Sequence, residues 1–159
     1  MRKSIFFWLV ILIVFLGLIV YYFYPESQLK DDQKADKIII NKAKHELLLY
    51  NKEELIAKYK VSLGRNGLNK KTKDGDWLTP EGRFKGKKKT QIQYHKSIEV
   101  GEWGDCCGVL IHGLGNEYGR FKRFHRWRDW TKGCIALTND EIDEIYKAVN
   151  NNVIIEINP

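Results

Sequence analysis

The chain has 159 residues, with 27 basic against 20 acidic side chains and a formal charge of +7. Its three cysteines are an odd number, so complete pairing within the chain is excluded. Its length is enough for one domain of ordinary size whose apolar core needs no disulfide staples.

Residues Ile5 to Tyr24, IFFWLVILIVFLGLIVYYFY, carry no charge. A helix of that length spans roughly 30 Å, the thickness of a bilayer's hydrocarbon core. Arg2 and Lys3 precede it, and PESQLKDDQKAD after it mixes both signs. The positive-inside rule therefore predicts a cytoplasmic tip and a remainder across the membrane, with Tyr21, Tyr22 and Tyr24 at the outer interface. A cleaved signal peptide would end in a small-x-small site, whereas this run ends in Tyr and Phe. The expected organisation is a signal-anchor over residues 1–24, a polar linker over 25–36 and one domain over 37–159. Outside the cell, the positive excess suits an acidic polymer or carboxylate-bearing peptides, and nucleic acid is not an expected partner.

Lys37 to Ile40 and His45 to Tyr50 are short apolar runs around a turn, which predicts a β-hairpin. A third strand is expected over Leu55 to Leu63, ended by Gly64. Gly64 to Leu78 lacks periodicity and reads as a loop long enough to suggest a binding role. Thr79-Pro80-Glu81-Gly82-Arg83-Phe84 turns into another strand, Lys85 to Thr90 reads as a basic loop, and Thr90 to Tyr94 and Cys107 to Ile111 as strands. The adjacent Cys106 and Cys107 read as small core residues leading into the last of these. Gly115 to Trp130, rich in arginine and aromatics, is expected to be a loop with one helical turn. Thr138-Asn139-Asp140-Glu141 matches a capping box, and Ile142, Ile145, Tyr146 and Val149 place one helical face on the core. Asn150 to Asn152 should stop that helix before a last strand, Val153 to Ile157. The domain is predicted to be mainly β.

Two short segments carry chemistry. Ile111-His112-Gly113 is followed about twenty residues later by Thr131-Lys132-Gly133-Cys134-Ile135. A free thiol is only a few per cent thiolate at neutral pH, so an imidazole that accepts and later returns its proton makes Cys134 a candidate nucleophile. Gly133 lets the backbone N–H groups around Cys134 turn toward a developing oxyanion, and Gly113 keeps space beside the imidazole. Thr131 can hydrogen-bond at the same corner, and Lys132 can favour thiolate or bind a carboxylate. His112, His125 and Cys134 are zinc-ligand types, but paired ligand spacings are absent, so no metal is expected.

Those residues resemble the signature of the L,D-transpeptidases, the YkuD-like catalytic domain. The resemblance extends over nearly all of residues 37–158, including the opening hairpin, Thr79-Pro80-x-Gly82-x-Phe84, His125-Arg126 and Arg128-Asp129-Trp130-Thr131. It implies a mainly β sandwich in which Cys134 attacks a peptidoglycan tetrapeptide stem and releases D-alanine. The resulting thioester would pass to a neighbouring stem amine, making a 3→3 cross-link that bears on cell shape. His112 would be proton donor and acceptor, the Gly133–Cys134 backbone the oxyanion hole, and no cofactor would be needed. The implied location is a bacterial cell membrane, with the domain on the outer, periplasmic side. Many members carry His or Arg where this chain has Lys132, and Arg where it has Ala136. Arg120, Arg123, Arg126 and Arg128 are candidates for the missing carboxylate contact, with Gly113, Thr131 and Lys132 completing the substrate site. The same thioester would also serve a carboxypeptidase or cross-link hydrolase, and a wall-binding module with a dead site is the remaining reading.

Overall fold

A computed structural model describes the chain except for residues 1, 25–27, 31, 91, 104–105 and 116–117. The side chains of Cys106 and Cys107, read above as small core residues, lie outside the described set.

Helix α1, Arg2–Phe23, is exposed along its apolar length, and Ser4–Phe23 has a mean hydropathy of 2.8. Its length and composition are those of a membrane-crossing helix. The domain that follows is built on eight strands: β1 Ala35–Asn41, β2 Glu46–Asn51, β3 Glu54–Lys60, β4 Gly82–Lys89, β5 Ser97–Trp103, β6 Cys106–His112, β7 Ile135–Ala136 and β8 Val149–Asn158. They form one sheet in the order β3-β2-β1-β8-β4-β5-β6-β7. Helix α2, Asn139–Ala148, packs Ile142 and Ile145 on its inner face.

The sheet changes layer at β4. Residues Gly82 to Gly86 pair with β8, while Lys87 to Lys89 pair with β5. Beyond β3, the chain then reaches the opposite edge of the sheet: Ser62 bridges Ala136, and Gly64 bridges Thr131. The curled sheet is thus tied edge to edge around a core that includes Ile38, Ile40, Leu47, Leu49, Ile111, Ile135 and Ile155. That tie brings the turn before β7 against the chain after β3.

The β1–β2 hairpin and the capping box are as expected: Thr138 and Glu141 make both reciprocal bonds at the start of α2. Four local expectations are corrected. Lys85 to Lys89 belongs to β4, where the one buried residue is Gly86 and the lysines stay exposed or half-buried. A Cβ on Gly86 would stand 2.7 Å from Val153 Cγ1, so the strand crosses the core where an apolar side chain does not fit. Ile92–Tyr94 is a single 3-10 turn rather than a strand. β5, which the sequence reading passed over, buries Ile98 and Val100 by simple alternation up to Gly101. The three asparagines do not separate α2 from the last strand, because β8 begins at Val149 and runs through them. Asn151 Oδ1 accepts from Lys88 N–H at 2.9 Å, so its side chain ties the neighbouring strand.

Candidate active site

His112 ends β6, and Cys134 immediately precedes β7. The two strands are parallel, with His112 opposite Ala136 and Ile111 opposite Ile135. Side chains alternate along strands, so Cys134, two residues before Ala136 and one before β7 begins, has the parity of the face that carries His112. From strand spacing and rise, their Cα atoms are roughly 8 Å apart, within reach of two converging side chains. The pairing of Leu137 N–H with His112 C=O at 2.9 Å pins this register.

The His112 tautomer follows from its partner. Nδ1 lies 2.6 Å from the Gly113 carbonyl, which can only accept, so Nδ1 carries the proton and Nε2 is the basic nitrogen. The Tyr94 ring packs on one side of the imidazole at 4.5 Å and Trp130 stands edge-on at 6.2 Å. Burial pushes the His112 pKa down, partly offset by the Gly113 bond. Burial also pushes the Cys134 thiol up, partly offset by the Leu110 backbone. Both shifts favour a neutral thiol beside a neutral imidazole.

The turn that presents Cys134 is held by Thr131. Its hydroxyl accepts from Gly133 N–H at 3.1 Å and donates to Cys134 C=O at 2.7 Å. The Gly133 N–H is therefore engaged inside the turn. Gly133 has φ +114°, and a Cβ there would stand 2.8 Å from Leu78 O. The long 64–78 loop supplies that carbonyl and is organised around Asp76, which accepts the N–H groups of Thr72 at 3.0 Å and Leu78 at 3.0 Å. Asp76 also pairs with Lys71 at 2.6 Å. The loop's residues thus serve the turn from behind.

The other candidate site residues fall in different places. Gly113 packs under α2, where a Cβ would meet Asn139 Oδ1 at 2.7 Å. Lys132 is exposed, and Ala136 is fully buried. Arg126 turns inward and pairs with Glu141, at the buried start of α2. Arg128 lines a cavity of about 730 Å³ together with Leu114, Tyr118, Phe121, Trp127 and Trp130. His125 borders the same cavity and is held at a pKa of about 3 by burial first and then by the Arg126 charge, with a further contribution from coupling to His112. Its Nδ1 accepts from Trp130 Nε1–H at 3.4 Å and lies 3.2 Å from Ser62 Oγ. Sequence reading passed over Tyr94, Ser62 and Leu78, which reach the site through tertiary contacts and carry no local motif. Among the described residues there is no cluster of three or more metal-ligating side chains.

Residues 35–157 match the L,D-transpeptidase catalytic domain, YkuD. Over 105 residues, the chain is 30% identical to Escherichia coli K12 YafK, whose name assigns it provisionally to the L,D-transpeptidases. That match covers 64% of this chain and 40% of YafK, so the chain spans less than half of that relative's length. Among solved structures, the helical cell shape determining protein Pgp2 of Campylobacter jejuni superposes with TM-score 0.61 at 21% identity. The superposition covers 79% of this chain and 48% of Pgp2. L,D-transpeptidase 1 of Mycobacterium tuberculosis gives TM-score 0.54 at 19% identity, covering 79% of this chain and 62% of that one. At such identities these two likenesses speak to the fold.

Proposed function

The chain belongs to the L,D-transpeptidase catalytic-domain family, and from that premise we propose that it is a cysteine acyltransferase of peptidoglycan stems. The observation that supports this reading is the β6–β7 register, in which His112 pairs with Ala136, two residues after Cys134, together with the Gly113 bond that leaves Nε2 as the basic nitrogen. In the proposed reaction, His112 Nε2 takes the thiol proton as Sγ attacks the carbonyl of the third stem residue. The C–S bond forms, the C–N bond to the terminal D-alanine breaks, and the imidazolium returns its proton to the departing amine. A stem amine then attacks the thioester, giving its proton to His112, and Cys134 leaves and is reprotonated. The product is a 3→3 cross-link.

Because both groups rest neutral, proton transfer accompanies attack and no stored thiolate is required. With the Gly133 N–H held by Thr131, we assign the Cys134 N–H to the oxyanion, and Gly133 supplies the backbone bend. Arg128 and Lys132, both exposed beside the site, are our candidates for the stem carboxylate, and Arg126 positions the start of α2. In this reading α1 spans a bacterial cell membrane, with residues 1–24 as anchor and tip and the domain over 37–159 outside.

The test is incubation of the purified chain with disaccharide-tetrapeptide. Release of D-alanine and a 3→3 dimer are expected, both lost in Cys134→Ala and in His112→Ala. Full activity in Cys134→Ala would refute the mechanism. Tripeptide as the sole product would assign the thioester to water, making the enzyme a carboxypeptidase, and unaltered muropeptides would leave a binding module.

A further inference from the structure

Tyr118 to Arg128, YGRFKRFHRWR, holds five basic residues, four aromatics and no acid. Its 3-10 segment Gly119–Trp127 is bent at Lys122, where φ is +41°. The bend leaves Trp127 78% exposed, Tyr118 59% and Phe121 46%. A soluble surface rarely groups large rings in this way without something to cover them.

The same segment touches the C-terminal end of α1. Tyr22 OH donates to Arg120 C=O at 3.0 Å, and Arg123 Nη2 donates to Tyr24 C=O at 3.0 Å. The Phe124 ring meets those of Tyr21 at 5.5 Å and Tyr22 at 6.2 Å. A second tie lies just downstream: Gln28 N–H donates to Glu144 at 2.9 Å, and Leu29 packs against the core. From Tyr24 to Gln28 the chain can reach about 14 Å at full extension. The domain therefore has no long tether and sits at the end of α1.

We propose that Tyr118–Arg128 is a membrane-docking surface, seated on the anionic headgroup layer of the leaflet from which α1 emerges. The inference rests on the reading of α1 as membrane-spanning. Tyr118, Phe121 and Trp127 have the amphipathic or apolar rings that settle at headgroup depth, and Arg120 and Lys122 supply the charge that complements lipid phosphate. Continuity with α1 selects the occupant, because the tyrosines that end the helix are the ones this segment contacts. Tyr118, Phe121 and Trp127 also line the cavity beside His125 and Trp130, so docking sets the mouth of that cavity at the bilayer surface. Substrate would then enter along the membrane plane, and the stems within reach would be those closest to the membrane.

The experiment reconstitutes the full chain in nanodiscs of mixed zwitterionic and anionic lipid. One set carries bromines near the headgroup end of the acyl chains, and another near the chain ends. Tryptophan quenching is compared among wild type, Trp127→Phe and Trp8→Phe, so that each difference isolates one indole. The expected result is quenching of Trp127 and of Trp8 by shallow bromines, Trp8 lying only about 5 Å inside the apolar run, with the Trp127 component alone lost in Arg120→Glu/Lys122→Glu. Quenching of Trp8 with no shallow quenching of Trp127 would overturn the docking surface and leave the anchor standing. Absence of Trp8 quenching by either set would overturn the anchor and the docking surface with it.

Discussion

Replacing His125 with Gln should flatten the acid sensitivity of the fold. The imidazole has an ordinary pKa of 6.5 and is held near about 3, first by burial and then by Arg126 and His112. Protonation would place a cation among those groups and turn Nδ1 from an acceptor into a donor facing Trp130 N–H. Because the folded value lies below the unfolded one, the unfolded chain binds more protons between the two. Stability is therefore complete above pH 6.5 and falls as the pH drops toward the folded value. One such proton is worth at most about 1.4 kcal/mol per pH unit. From pH 6.5 to about pH 4 the loss reaches roughly 3 kcal/mol, or about 2 kcal/mol after discounting for the partly exposed ring. Glutamine can still accept from Trp130 and bond Ser62, so neutral-pH stability should change little. Urea unfolding of the detergent-solubilised chain, followed by tryptophan fluorescence near pH 7 and near pH 4, measures the difference. Wild type should lose about 2 kcal/mol more than His125→Gln on acidification. Parallel losses would refute the assignment of that proton to His125.

Three further outcomes test the site and its supports. The acid limb of kcat/KM for D-alanine release should fall below the ordinary histidine value of 6.5, because burial lowers the His112 pKa; a limb above it would contradict the neutral base. Gly133→Ala forces a Cβ to 2.8 Å from Leu78 O at φ +114°, so turnover should drop at least about tenfold and stability by about 1–3 kcal/mol. Unchanged melting and turnover would show that the turn tolerates a side chain. Arg126→Met removes the cation paired with the buried Glu141 carboxylate and should cost about 3–5 kcal/mol by denaturation, with much of it recovered in Arg126→Met/Glu141→Gln. No recovery would mean that the pair is not the source of the loss.

Much of the frame was legible because its signals are local. The hairpin showed as two short apolar runs around a turn, and α2 as a capping box followed by spaced isoleucines. β4 was illegible because its buried residue is Gly86, which has no hydropathic signature, and its lysines mimic a loop. β5 was readable by alternation, but Gly101 interrupts the pattern at a register shift. At the site, His112 and Cys134 stood out as a motif. The Thr131 hydrogen bonds could not be foreseen, because which donor a hydroxyl meets depends on the backbone path.

The amino-acid sequence by itself determined the apolar N-terminal helix, the mainly β class and the identity of the candidate nucleophile and base. Each depends on residue type and short-range period. Tertiary structure decided the rest. It set the parallel β6–β7 register, turned Arg126 toward Glu141, seated Leu78 behind Gly133 and joined the end of α1 to the Tyr118–Arg128 segment. Those outcomes join residues far apart in the chain, such as Tyr22 and Arg120, 98 positions apart. Such contacts exist only once the sheet has curled and its edges have met, so no local pattern encodes them.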